Sequence, residues 1–137
     1  MKDLKVLIVD DLEYVRKLLK TLLRSLGVKQ IHEATNGYEA LMILESQDKA
    51  NKIMRGNIKL VLCDINMPKM DGLKFLKELK KRKEFDDVAV IIVTGDATKE
   101  TIIEASKLGA DGFILKPYTQ KIFIEKITQA LERKGDL

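Results

Sequence analysis

The sequence contains few of the residues that define several large classes of protein. It has one cysteine, two prolines and no tryptophan among 137 residues. Because one cysteine, Cys63, cannot form an internal disulfide, a disulfide-stabilised scaffold is excluded and a reducing compartment is expected. Long apolar runs are also missing: the longest, such as residues 88–93, are strand-sized and far below the roughly 18 residues of a membrane span. No transmembrane helix is therefore expected.

Neither a secretion signal nor a nucleic-acid-binding composition is visible. Residues 1–3 lead directly into an apolar run with no cleavage site behind it, which predicts a cytoplasmic location. The 25 basic and 21 acidic residues leave a formal net charge of only +4. The densest basic stretch, residues 77–83, falls at the end of a predicted helix, where cations complement the helix dipole. Direct binding of nucleic acid or membrane is not expected.

The abundant feature is an alternation of apolar runs with segments of helical period, typical of a parallel sheet flanked by helices. Strands are predicted over residues 5–10, 30–34, 60–64, 88–94 and 112–116. Helices are predicted over residues 12–26, 37–54, 71–83, 98–108 and 119–133. The run at 30–34 alternates between apolar and polar residues, which predicts an edge strand. The expected fold is one α/β domain over residues 1–137: a doubly wound, five-stranded parallel sheet with five helices on both faces.

Polar residues end four of the five predicted strands, at the edge where such sheets bind ligands. Asp10 and Asp11 end the first, Asp64 the third, Thr94 the fourth and Lys116 the fifth. Singly, each has a structural explanation, as a helix cap, a partner for loop amides or a surface charge. Three carboxylates in one cleft would repel one another unless a cation lies among them, and oxygen ligands suit Mg²⁺.

The same residues could perform phosphoryl transfer. A carboxylate beside Mg²⁺ can attack phosphorus and become an aspartyl phosphate. The transfer requires the charge on the phosphoryl oxygens to be neutralised. Mg²⁺, the Lys116 ammonium and the Thr94 hydroxyl could each take one oxygen.

Four segments resemble the receiver domain of two-component response regulators, and the resemblance covers essentially the whole chain. They are Val-Asp-Asp at 9–11, Asp-Ile-Asn-Met-Pro-Lys-Met-Asp-Gly at 64–72, Val-Thr-Gly at 93–95 and Leu-Lys-Pro at 115–117. The nine-residue block is the most specific. The resemblance implies a flavodoxin-like sheet in the order 2-1-3-4-5, a cis peptide bond before Pro117, and a stand-alone chemotaxis-type receiver that is a phosphoacceptor and not an enzyme.

The resemblance also implies roles for individual residues. Asp64 would be the phosphoacceptor and Lys116 a phosphate contact. Asp10, Asp11, Asp64 and the backbone carbonyl of Asn66 would bind Mg²⁺.

Further roles implied by the resemblance concern switching and the lifetime of the phosphoryl group. Thr94 would be the switch hydroxyl and Phe113 the switch aromatic, although Phe113 is equally well explained as a core aromatic. Asn66 and Asp96 would control access of water to the phosphorus.

The partners implied are a sensor histidine kinase as phosphodonor and a downstream target protein. The target would bind at the face formed by the fourth helix, fifth strand and fifth helix, with Ile102 and Ile122 as apolar anchors and Lys99 and Lys121 at the rim. A monomer is expected, with a dimer on phosphorylation as an alternative. Residues 46–57 look longer than the family needs and predict a tolerated loop insertion or a private docking surface.

Three other functions fit the sequence less well. A phosphatase of the haloacid dehalogenase type would carry Asp-x-Asp on its first motif strand, whereas here the acid pair comes first and Asn66 follows Asp64 at the second position. A flavin carrier would need a phosphate-binding loop after the first strand, where Asp10 and Asp11 would repel phosphate. A receiver cut from a longer DNA-binding regulator is disfavoured because no helix-turn-helix follows the fifth predicted helix.

Overall fold

Five parallel strands form a sheet in the computed structural model, which describes residues 1–50, 57–96 and 98–137, excepting the side chains of residues 48–50. The strands are β1 (Lys5–Val9), β2 (Gln30–Ala34), β3 (Ile58–Cys63), β4 (Ala89–Thr94) and β5 (Gly112–Leu115). Their order is β2-β1-β3-β4-β5, and every pair is parallel. The predicted fold class and strand order are confirmed, including the edge position of β2.

Four of the helices connect successive strands, and a fifth follows β5. They are α1 (Glu13–Ser25), α2 (Gly37–Ala50), α3 (Gly72–Lys80), α4 (Lys99–Lys107) and α5 (Gln120–Arg133). The third helix ends earlier than predicted because Arg82 has extended backbone angles, and a separate 3-10 turn follows at Lys83–Phe85. The second helix was predicted to extend to residue 54. Residues 51–56, which are part of the long region 46–57, lie outside the described residues. Among the described residues, no helix has the length and apolarity to cross a membrane.

Apolar side chains of the central strands are buried on both faces of the sheet. Alternate residues of β1, β3 and β4 face opposite sides, because side chains alternate along a strand. On one face they pack against α2, α3 and α4, with Leu41, Leu44, Phe75, Leu76, Leu79 and Ala105 buried. On the other they pack against α1 and α5, with Val15, Leu19, Leu23, Phe123, Ile127 and Leu131 buried. This double burial explains why the central strands read as unbroken apolar runs.

Cys63, His32 and two glycines occupy structural positions in the fold. Cys63 is fully buried in the core, where burial raises the pKa of its thiol well above the usual value. His32 is half-buried on the edge strand β2. Gly27 and Gly109, which follow α1 and α4, have φ angles of 91° and 95°, a region that favours glycine at helix ends.

The basic stretch at the end of α3 is partly neutralised. Lys81 pairs with Glu78 at 3.0 Å, and Arg82 pairs with Glu45. Lys80 lies 3.8 Å from Asp111. These pairs neutralise part of the positive charge at this helix end.

Candidate functional site

The carboxyl ends of four strands bring four of the predicted site residues to one edge of the sheet. Asp10 directly follows β1, Asp64 follows β3, Thr94 is the last residue of β4 and Lys116 follows β5. The backbone continues the sheet pattern beyond the strands: the Asp64 N–H donates to the Val9 carbonyl at 3.0 Å, and the Lys116 N–H donates to the Thr94 carbonyl at 2.9 Å. The Lys116–Pro117 peptide bond is cis, as predicted.

One ammonium group joins two acids in this cleft. Lys116 Nζ lies 3.2 Å from Asp10 Oδ2 and 3.4 Å from Asp64 Oδ2. The other carboxylate oxygens accept backbone hydrogen bonds, Asp10 Oδ1 from Leu12 N–H at 2.9 Å and Asp64 Oδ1 from Ile65 N–H at 2.7 Å. Asp10 is 1% exposed and Asp64 is 9% exposed. Two buried carboxylates therefore share one positive charge.

The Lys116 ammonium does not fully offset the cost of burying the Asp10 carboxylate. Burial raises the pKa of Asp10; the hydrogen bond from Leu12 N–H and the charge of Lys116 lower it, and the charge of Asp64 raises it again. A second cation beside the pair would relieve both the desolvation and the mutual repulsion. The all-oxygen donors of Asp10 and Asp64 fit a small hard cation such as Mg²⁺.

Asp11 does not join the two buried acids. It is exposed, and within residues 1–50, 57–96 and 98–137 no three His, Cys, Asp or Glu side chains form a group that could hold a metal ion. The predicted convergence of three carboxylates is therefore realised by Asp10 and Asp64 only. Asp11 does not cap α1 either, because the N-cap residue is Leu12 and makes no side-chain cap.

The loop after Asp64 is held tightly against the start of α3. A Cβ atom on Gly72 would lie 2.1 Å from the Asp64 carbonyl oxygen, so this position requires glycine. The Gly72 N–H donates to the Ile65 carbonyl at 2.9 Å, and the Asp71 side chain caps α3 by accepting from Lys74 N–H at 2.8 Å. These contacts explain much of the nine-residue block as a device that fixes the Asp64 backbone. Asn66 lies exposed in the same loop.

Thr94 and Phe113 lie on the same face of the sheet. Phe113 is paired with Ile92 and Leu115 with Thr94, so Thr94 and Phe113 are diagonal neighbours. Thr94 is buried, and its Oγ1 accepts a hydrogen bond from Asp96 N–H at 3.2 Å. Phe113 is half-buried against the core on the α3 side of the sheet. Both structural explanations, a loop-amide partner for Thr94 and a core contact for Phe113, hold in this arrangement.

The isoleucines predicted as anchors differ in exposure. Ile122 on α5 is 40% exposed, as expected. On α4, Ile103 is 43% exposed, whereas Ile102 is half-buried. The reason is helical spacing: Ile102 lies three residues before the fully buried Ala105 and so faces the same side. Ile103 is thus the more exposed apolar residue of the pair.

Arg16 is a residue of this cleft that no motif marks. Its guanidinium Nη1 donates to the Asp10 carbonyl at 2.8 Å. The side chain lies on α1 and is 14% exposed. An arginine on a helix flank carries no sequence signal of such a contact, because the contact depends on how α1 lies against the sheet.

Comparison with known proteins gives concordant results for sequence and structure. The sequence model of a family described as the response regulator receiver domain matches residues 6–128. The chain is 37% identical over 132 residues to chemotaxis protein CheY-3 of Vibrio cholerae, covering 96% of this chain and 95% of that protein. It is 36% identical over 130 residues to chemotaxis protein CheY of Pseudomonas aeruginosa, covering 95% and 98%.

Two solved structures illustrate the structural similarity. One is chemotaxis protein CheY4 of Vibrio cholerae, with a TM-score of 0.77 and 26% identity, covering 93% of this chain and 98% of that one. The other is the CheX-CheY-BeF3-Mg complex from Borrelia burgdorferi, with a TM-score of 0.79 and 30% identity, covering 91% and 87%.

The raised pKa of Asp10 makes a prediction about stability in the absence of divalent cations. A carboxyl whose folded-state pKa exceeds its unfolded value destabilises the fold as pH rises through those two values. Asp10→Asn removes this cost and keeps an oxygen for Leu12 N–H. We expect the variant to unfold at higher urea concentration than the wild type at neutral pH, with the difference shrinking as pH falls through the folded-state pKa and lost below the unfolded value.

Urea unfolding in chelator across this pH range measures the effect. The matched control is Asp11→Asn, which removes the same charge from the exposed neighbour and should change stability much less. A gain for Asp10→Asn that does not vary with pH would contradict the assigned cause.

Proposed function

The chain belongs to the response regulator receiver domain family, and from this premise we propose that Asp64 accepts a phosphoryl group from a sensor histidine kinase in a Mg²⁺-dependent reaction. The observation that carries the proposal is the shared ammonium: Lys116 Nζ lies within 3.4 Å of both Asp10 and Asp64. A structural ion pair needs one acid. Two acids on one lysine, at the ligand-binding edge of the sheet, match a site built for a polyanion and a cation.

Asp64 is the nucleophile of the proposed transfer. A carboxylate oxygen of Asp64 forms the new bond to phosphorus as the bond from phosphorus to the donor imidazole nitrogen breaks. The nitrogen leaves with that electron pair and is protonated from solvent. The Lys116 ammonium and the Thr94 hydroxyl then each donate to a phosphoryl oxygen, which stabilises the charge that develops there.

The residues that would hold Mg²⁺ are Asp10, Asp11, Asp64 and the Asn66 carbonyl. When bound, Mg²⁺ supplies a Lewis acid that neutralises phosphoryl charge which one lysine cannot neutralise alone. The Borrelia burgdorferi relative, a CheX-CheY complex with BeF3 and Mg, supports this assignment by analogy. The chain is proposed to act as a cytoplasmic phosphoacceptor and not as an enzyme on a separate substrate.

The proposed output is a change in affinity for a downstream protein. The Thr94 hydroxyl now accepts a hydrogen bond from the Asp96 N–H. If the hydroxyl turned towards a phosphoryl group, this hydrogen bond would break. Phe113, its diagonal neighbour, lines a groove of about 170 Å³ bounded by α4, β5 and α5. Movement of the ring relative to this groove would alter the target-binding face, where Ile122 and Ile103 are exposed.

Phosphorylation of Asp64 is tested with a small phosphodonor such as acetyl phosphate. We expect the wild type to take up one phosphoryl group in the presence of Mg²⁺, and chelator to prevent it. Asp64→Asn should lose the modification because the nucleophilic oxygen is replaced by an amide. Mass spectrometry of the intact protein and of its peptides measures both.

Asp71→Asn is the control for Asp64→Asn. Asp71 lies in the same loop, but its side chain caps α3 and it is not among the proposed Mg²⁺ ligands. Labelling should therefore persist. If Asp64→Asn is labelled on the same peptide as the wild type, Asp64 is not the acceptor.

Coupling between Thr94 and Phe113 is tested in the phosphorylated protein. We expect phosphorylation to shift the ring resonances of Phe113 in NMR spectra. Thr94→Ala should still be labelled at Asp64 but should lose most of this shift, because it has no hydroxyl to draw towards the phosphoryl group. Thr94→Ser keeps the hydroxyl and should retain the shift. A full shift in Thr94→Ala would show that the signal leaves by another route.

Asn66 and Asp96 are proposed to set how long the phosphoryl group lasts. Asn66 is exposed beside Asp64, and Asp96 is half-buried beside Thr94. Replacing both with alanine should change the hydrolysis rate of the phosphorylated form several-fold while Mg²⁺ affinity stays near that of the wild type. The rate is followed by loss of label after removal of the donor; equal rates would remove both residues from this role.

A further inference from the structure

Every polar group of Asp10 has a partner in the structure. Its N–H donates to the Ala34 carbonyl at 3.1 Å. Its carboxylate oxygens accept from Leu12 N–H at 2.9 Å and Lys116 Nζ at 3.2 Å. Its carbonyl accepts from Arg16 at 2.8 Å. The last bond differs from the others because it acts on the peptide group that joins Asp10 to the next residue.

That peptide group determines the orientation of the next acid in the sequence, Asp11. A peptide unit is planar, so fixing the direction of its carbonyl fixes the plane from which the following residue departs. The following residue is Asp11, which is exposed and does not join the Asp10–Asp64 pair. Arg16 is therefore placed to control the orientation of Asp11 relative to the cleft.

Arg16 is itself held by the edge strand. Its Nε donates to Glu33 Oε1 at 3.1 Å, and Lys20 Nζ donates to Glu33 Oε2 at 3.0 Å. The Arg16, Lys20 and Glu33 side chains are 14%, 24% and 34% exposed. Burial acts to raise the pKa of Glu33, but the hydrogen bonds from Lys20 and Arg16 outweigh it and the pKa is lowered. Glu33 is thus an ionised anchor shared by two cations of α1.

The geometry separates two effects of Arg16 on a cation in the cleft. The positive charge of the guanidinium by itself opposes the binding of a second cation. Its pairing with Glu33 reduces that opposition, while the planar fork of the guanidinium can serve Glu33 with one nitrogen and the Asp10 carbonyl with another. A lysine would carry the same charge without that fork.

We propose that Arg16, oriented by Glu33, is a positioning residue that fixes the orientation of the Asp10–Asp11 peptide for Mg²⁺ binding. The inference rests on the proposed function, because it concerns the acid pair of the same site. Arg16 touches the backbone and not the reacting atoms, so it acts through Asp10 and Asp11.

The test compares Arg16→Lys, Glu33→Gln and the double variant by isothermal titration with Mg²⁺. Arg16→Lys keeps the charge and loses the fork, and we expect Mg²⁺ to bind about 10-fold more weakly, as when a partner that orients a metal ligand is removed. Glu33→Gln should weaken binding similarly. The double variant should bind no more weakly than Arg16→Lys, because Glu33 acts through Arg16 and the two effects are not additive.

Lys20→Gln is the matched control. It removes the other cation that binds Glu33 from the same helix but has no contact with Asp10. Its Mg²⁺ affinity should stay near that of the wild type. Melting temperatures in chelator are measured for all variants. If Arg16 had only a structural role, Arg16→Lys and Lys20→Gln would both have lower melting temperatures and both would bind Mg²⁺ more weakly.

Three outcomes would overturn the inference: wild-type Mg²⁺ affinity in Arg16→Lys, equal weakening in Lys20→Gln, or additive losses in the double variant. Labelling of Asp64 in the wild type, measured on the same preparations, reports separately on the proposed function. A wild type that binds Mg²⁺ but is not labelled refutes phosphotransfer. A labelled wild type with an Arg16→Lys variant of unchanged Mg²⁺ affinity refutes only the role of Arg16.

Discussion

The repulsion between two buried carboxylates is the constraint on which the rest of the site depends. Asp10 and Asp64 are nearly excluded from solvent, where like charges interact far more strongly than in water. The Lys116 ammonium sits within hydrogen-bonding range of both, and backbone N–H groups take the remaining oxygens. This compensation is partial, since burial still raises the pKa of Asp10. Such a site gains from an added cation, which links its stability to its proposed chemistry.

The parallel sheet makes this arrangement possible. Four strands end at the same edge and deliver Asp10, Asp64, Thr94 and Lys116 there from positions far apart in sequence. The apolar strands behind them are covered by helices on both faces, so the edge is backed by a packed core. Close contact between the Asp64 carbonyl and Gly72 fixes the loop that follows Asp64. The Thr94 hydroxyl accepts its hydrogen bond from a single loop amide.

Much of the fold follows from local sequence pattern. Apolar runs and helical periods identify each strand and helix, because burial on both faces of a sheet leaves a recognisable run. The nine residues from Asp64 to Gly72 carry the most specific part of the family resemblance, and the tight packing of Gly72 on the Asp64 carbonyl explains the glycine at the end of that block. The predicted end of α3 is wrong because the extended backbone at Arg82 has no proline or glycine to mark it.

The sequence by itself determined the α/β architecture and placed Asp64, Thr94 and Lys116 at strand ends on one edge of the sheet, because these depend on periodicity and on short contiguous motifs. Only the tertiary structure decided which acids meet. It placed Asp10 and Asp64 on one lysine, left Asp11 exposed, and brought Arg16, paired with Glu33, to the Asp10 backbone. Those outcomes depend on the direction of individual side chains and on how α1 lies beside β2, and such long-range geometry leaves no trace in local sequence.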